Sequence, residues 1–213
     1  MAFLFFGVLV AALDIAILAP ALRSIGEFFS VENERTLSWV FIIFTLFTQL
    51  GIPFMTWLSD VYGRRFAYTL CMGLFTVGVV ISVSSVSFSM LLVGRAVQGL
   101  GVSGVVPITS AVIGDLFPVE RRGRMLGIIG AVFGLAFIIG PLISGLLISY
   151  GWKWKFSILS PLALIVFILA CMRLPAMKVS RAPHLDVAGI LTLVCSLTCL
   201  AVGVSLLETN KQE

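Results

Sequence analysis

What constrains this chain most is where its charges fall: nearly all of them lie between long apolar runs. Seven such runs, near 3–25, 37–59, 66–87, 88–116, 123–149, 155–174 and 186–207, are each long enough to cross a bilayer. A spanning helix needs about 20 residues at 1.5 Å each. Inside hydrocarbon every backbone amide and carbonyl must find its partner within the protein, so each run is expected to be a helix. Composition agrees, with 60% of the 213 residues hydrophobic and 11% charged. A water-soluble domain carries about 45–50% apolar and 25% charged residues, so lipid must be the solvent here.

The same composition excludes several function classes. The net charge of +4 is scattered and forms no basic stripe, which argues against nucleic acid as a partner. Cys71, Cys171, Cys195 and Cys199 all sit in apolar runs. Cys195 and Cys199 are one helical turn apart, but no His or carboxylate stands near to complete a metal site. They read as packing residues, with neither a metal site nor a disulfide framework expected. The first run lacks the basic leader and small-residue cleavage site of a signal peptide, and Asp14 interrupts it, so it reads as a spanning helix. No linker or low-complexity tract separates the runs, which points to one domain plus an extra helix.

Lys and Arg in short loops set orientation. Arg64, Arg65, Arg121, Arg122, Arg124, Arg173, Lys178 and Arg181 follow runs two, four and six, eight in all. The opposite side holds five, namely Arg23, Arg35, Lys153, Lys155 and Lys211, together with Glu27, Glu32 and Glu34. The bias places the N-terminus in the cytoplasm and Trp39, Trp152 and Trp154 at the outer interface. A seven-helix receptor topology, with the N-terminus outside, would export the three basic loops and is disfavoured. A faint repeat is also visible. Tyr62-Gly63-Arg64-Arg65-Phe66 follows run two, and Tyr150-Gly151-Trp152-Lys153-Trp154-Lys155-Phe156 follows run five on the other side of the membrane. An inverted repeat of three helices plus three produces this pattern.

Three ionisable residues lie within the runs or at their inner ends without an interfacial reason: Asp14, Arg95 and Asp115. A charge at mid-membrane costs about 2.5–3.5 kcal/mol on insertion scales, so such residues face a bundle interior or a wet cavity, usually with a partner. Asp14 lies near the midplane, where it can exchange protons or a cation, or serve only as a structural ion-pair partner. Arg95, with Gln98 one turn later on the same face, is a fixed positive charge that tunes a carboxyl, or packing glue. Segment five carries Gly127, Gly130, Gly134, Ala136, Gly140, Pro141, Ser144 and Gly145. Ala136, Gly140 and Ser144 form a small-residue ridge for close helix approach, and Gly140-Pro141 is expected to bend the helix. In Leu58-Ser59-Asp60-Val61-Tyr62-Gly63-Arg64-Arg65, Gly63 permits a positive-φ turn, and Asp60 and Arg64 can pair across it.

Together these strings resemble the major facilitator superfamily across essentially the whole chain. Leu58, Asp60, Gly63, Arg64 and Arg65 match the family's loop motif, with Thr56 and Val61 departing from it. Arg95, Gln98, Gly99 and Gly101 match its fourth-helix motif; Gly127, Gly140, Pro141 and Gly145 match the fifth-helix antiporter motif, where Ala136 and Ser144 replace glycines. Leu13-Asp14 followed by Ala21-Leu22 and Ser24-Ile25 is similar to the first-helix motif of multidrug exporters, with Arg23 in place of its usual Pro. Trp152-Lys153-Trp154-Lys155-Phe156 is similar to a further family segment. A seventh run beginning Leu185-Asp186-Val187-Ala188-Gly189 so soon after the sixth resembles the fourteen-helix drug:proton antiporters.

The resemblance implies an all-α membrane protein. Residues 1–176 would form the N-terminal six-helix bundle of the fold, as a 3+3 inverted repeat. Residues 177–213 would form a cytoplasmic linker and a seventh transmembrane helix of a truncated chain. It implies no enzyme and no cofactor, only a proton gradient as energy source. The implied function is a multi-pass inner- or plasma-membrane exporter of small amphipathic compounds working by alternating access, partnered by the bilayer and by a C-terminal half. Asp14, Arg95 and Gln98 would serve proton coupling and the substrate cavity; Asp60, Gly63, Arg64, Arg65 and Asp115 the cytoplasmic gate; residues 127–145 the bending helix and contact between halves. A metabolite or siderophore exporter on the same scaffold, and a non-transporting interaction fragment, are the alternatives.

Overall fold

The computed structural model describes residues 2–31, 33–146 and 151–174, with isolated positions 188, 189, 192, 195, 196 and 199. Apart from those positions, the expected linker and seventh helix lie outside the described residues. The rest is helical: α1 (Ala2–Phe29), α2 (Glu34–Tyr62), α3 (Arg64–Val83), α4 (Phe88–Ser103), α5 (Val105–Leu116), α6 (Val119–Leu146), α7 (Trp152–Ser157) and α8 (Leu159–Arg173). They make six spans long and apolar enough to cross a membrane, with α4 continued by α5 and α7 by α8.

Two of the expected runs are therefore broken, and both breaks have the same local chemistry. Pro107 has no amide hydrogen for the Ser103 carbonyl four residues back, and the chain turns at Gly104. Pro161 stands in the same relation to Ser157, and the chain turns at Ile158. Pro20, Pro53 and Pro141 are instead carried inside continuous helices. Polar residues start two of the others: Asn33 Oδ1 accepts the Arg35 amide at 3.0 Å, and Ser87 Oγ accepts the Met90 amide at 3.3 Å.

Packing runs chiefly α3 on α4, α2 on α4, α1 on α6, and α8 on both α3 and α1. The spans share the core unequally. About 61% of the most apolar stretch of α1 and of α4–α5 is buried, against 17% for α2 and α6. Thus α1 and α4 form the interior, while α2 and α6 each turn a broad apolar face outward, including Phe41 and Phe54 on α2 and Phe137, Ile138 and Leu142 on α6.

Gly63 joins α2 to α3 at φ 95°, ψ 154°, and Gly151 opens α7 at φ 83°, ψ 166°. Both occupy a region that side chains with a Cβ avoid, so glycine is required at each joint. That glycines of the same backbone shape open both the third span and the sixth supports the inverted repeat read from the sequence. The three tryptophans expected at the outer interface differ in burial. Trp39 and Trp154 lie outward, but Trp152 is 2% exposed and packs edge-on against Phe28 and Phe156, anchoring a helix end inside the protein.

Candidate functional site

Asp14 falls near the middle of α1, and Arg95 and Gln98 project from α4 at the spacing that stacks side chains on one helix face. Arg95 Nη1 donates to Asp14 Oδ1 and Oδ2 at 3.1 and 3.0 Å, and to Gln98 Oε1 at 3.0 Å. Gln98 Nε2 donates to Asp14 Oδ1 at 3.3 Å. Ser82, on α3, adds its hydroxyl to Gln98 Oε1 at 3.0 Å. All four residues are 0% exposed. The Arg95 guanidinium also lies 4.5 Å from the Phe44 ring centroid on α2 and 5.3 Å from that of Phe156 on α7. A cation so enclosed gains electrostatically from the ring faces. Its Nε and Nη2 have no hydrogen-bond partner among the described residues. Five helices thus converge on one buried charge pair.

The convergence depends on glycines of α3 and α4. A Cβ at Gly78 would stand 2.5 Å from the Gln98 amide nitrogen, and one at Gly94 would stand 2.4 Å from Ser82 Oγ. At Gly99 it would meet the Phe44 carbonyl oxygen at 2.4 Å, and at Gly101 the Phe75 amide nitrogen at 2.3 Å. Those gaps are far below a van der Waals contact, so α4 reaches α2 and α3 only because these positions have no side chain. The chemistry such a site can perform is narrow. A carboxyl, an amide and a guanidinium that cannot usefully deprotonate leave proton exchange at Asp14 as the reaction available.

The second constellation lies at the ends of α2, α3 and α5. Arg64 Nε donates to Asp115 Oδ2 at 3.1 Å, Nη1 donates to Ser59 Oγ at 3.1 Å, and Nη1 also pairs with Asp60. The Gly63 joint starts α3 so that Arg64, its first residue, turns inward. Arg65 Nη2 reaches the Cys171 carbonyl, tying α3 to α8. Asp60, Gly63, Arg64 and Asp115 therefore come together, while Arg65 serves a neighbouring contact.

The α6 set is dispersed. Ala136, Gly140 and Ser144 are buried on one stripe, and a Cβ at Gly140 would stand 2.4 Å from Ala16 Cβ on α1. Gly127 and Gly145 have nothing within 4 Å of a Cβ, and Pro141 also faces outward. The motif thus joins one helix contact to an uncovered face. Sequence reasoning missed Ser82, Phe44 and the ring role of Phe156. Ser82 and Phe44 carry no pattern of their own, whereas Phe156 sits in a segment already singled out for its aromatics.

A family model described as Major Facilitator Superfamily matches residues 4–207. Multidrug resistance protein 3 of Bacillus subtilis is 33% identical over 205 residues, covering 95% of this chain and 40% of that protein. The multidrug transporter protein MdtP of the same organism is 29% identical over 197 residues, covering 92% of this chain and 36% of its own. The chain spans about two fifths of the length of these curated relatives. Among solved structures, the human organic anion transporter MFSD10 superposes with TM-score 0.74 at 21% identity, over 90% of this chain and 52% of that one. The proton:xylose symporter XylE of a further structure gives 0.74 at 17% identity, over 95% and 50%. The spans, their order and the match along nearly the whole sequence lead to one conclusion: this chain belongs to the major facilitator superfamily.

Proposed function

We propose that this chain is the N-terminal bundle of a proton-coupled exporter of small amphipathic compounds, lying in the cell's inner or plasma membrane with its N-terminus in the cytoplasm. The observation that carries the reading is the sealed network of Asp14, Arg95 and Gln98. Two charges are kept in hydrocarbon only where they are paired, and such a pair is a functional candidate by default. With Asp14 ionised, the pair draws α1 to α4. A proton on Asp14 cancels that attraction but leaves the Arg95 charge, because guanidinium stays protonated. The two states therefore favour different spacings of α1 and α4, and a gradient that loads and unloads Asp14 can drive alternation between them.

The remaining parts take supporting roles in this proposal. Asp60, Arg64 and Asp115 hold the ends of α2, α3 and α5 together on the cytoplasmic side, where they form a gate. The outward faces of α2 and α6 pack against a C-terminal half. Drug-like amphipathic substrates are favoured by the names of the relatives and by the apolar lining available on those faces. No covalent step is required.

The test uses the full-length protein in proteoliposomes with an imposed pH gradient and a cationic dye such as ethidium as substrate. Asp14→Asn should abolish pH-driven dye movement while the protein still inserts, since the new amide can accept from Arg95. Dye movement that still follows the gradient in that variant would remove Asp14 from coupling.

A further inference from the structure

The outer face of α3 is not flat. Between α3 and α8 runs a groove of roughly 340 Å³, walled by Phe66, Thr69, Gly73 and Val77 of α3 and by Phe167 of α8. These positions repeat every three or four residues on the side of α3 away from its buried stripe of Tyr68, Cys71, Met72 and Phe75. From Phe66 to Val77 the groove extends about 16 Å at 1.5 Å per residue, roughly half of a hydrocarbon core about 30 Å thick. It is one leaflet deep.

Its chemistry is graded along that length. At the end nearest the α2–α3 joint, the exposed Arg65 bridges to the Cys171 carbonyl, and the exposed Arg173 ends α8 two residues beyond. One turn deeper, Thr69 lines the groove, and its buried Oγ1 has no hydrogen-bond partner among the described residues. Beyond Thr69 the walls are apolar. Two cations at one end, followed by an almost wholly apolar wall, is the order of groups in an anionic phospholipid: phosphate, then acyl chain.

We propose that this groove is a site for an anionic phospholipid of the leaflet on the α2–α3 loop side. The phosphate lies between Arg65 and Arg173, and one chain lies over Thr69, Gly73 and Val77. Gly73 keeps the floor open, since a Cβ there would stand 3.2 Å from the Phe167 ring. The site is separate from the Asp14–Arg95 network and does not depend on a transport role.

Native mass spectrometry of the full-length protein in mild detergent, with dioleoyl phosphatidylglycerol or phosphatidylcholine added, tests it. Wild type should retain phosphatidylglycerol preferentially. Arg65→Gln and Arg173→Gln should each weaken retention about fivefold, the effect of one basic residue near a lipid surface. Val77→Trp should fill the groove and abolish retention, while Val93→Trp, an outward position on α4, should leave it unchanged. Equal retention of the two lipids by wild type, or undiminished retention by Val77→Trp, overturns the proposal. So does a disulfide between Gly73→Cys and Cys195, which would put the chain's own seventh apolar run in the groove.

Discussion

The two charge clusters of this bundle are built from the same side chains and differ in their surroundings. In the Asp14–Arg95 pair both side chains are 0% exposed; in the Arg64 cluster Arg64 is 10%, Asp60 27% and Asp115 42% exposed. In the sealed pair, losing one partner strands a charge that nothing can solvate. In the wetter cluster, water takes the place of any partner removed. In the proposed mechanism, the first arrangement makes the helix packing sensitive to a single proton. In the proposed cycle, the second serves as a latch that is cheap to open.

The sharpest way to break the comparison is to delete one acid from each cluster and follow thermal unfolding of the full-length protein in detergent. Asp14→Ala leaves Arg95 buried without its counter-ion and should cost about 3–5 kcal/mol. A cost below about 1 kcal/mol would mean that water already reaches the pair. Next in size is Gly63→Ala, which forces a Cβ into positive φ and should cost about 1–2 kcal/mol while displacing Arg64. Ser82→Ala removes one neutral donor from Gln98, and a loss of about 1 kcal/mol is expected. The smallest effect should come from Asp115→Asn, a few tenths of a kcal/mol that shrinks further as salt is raised. A salt-independent loss there of the size expected at Asp14 would erase the distinction between the two clusters.

Much of this is legible in the sequence, for reasons that differ by residue. Asp14 and Arg95 stood out because a charge in hydrocarbon is costly, and cost alone marks them. Gly63 stood out because a charged tight turn between two apolar runs needs its backbone freedom. The breaks at Gly104 and Ile158 were hidden, since the runs containing Pro107 and Pro161 are as apolar as those in which Pro20, Pro53 and Pro141 leave the helix whole. Ser82 and Phe44 were hidden too, because what makes them matter is the approach of α3 and α2 to α4, and no local pattern encodes that approach. That Trp152 is buried against Phe28 and Phe156 is not legible either, since its residue type speaks only to depth in the membrane.

The glycines divide the molecule into places already taken and places held open. Those of α4 lie so close to α2 and α3 that an added Cβ would meet Ser82, the Phe44 carbonyl or the Phe75 amide. Gly127, Gly130, Gly134 and Gly145 of α6 confront empty space. Alanine at those four sites should not harm the folding of this bundle, and within the helix should favour it by up to about 0.5–1 kcal/mol. Any of them that slows the complete protein would then record, residue by residue, where another surface comes to rest on α6.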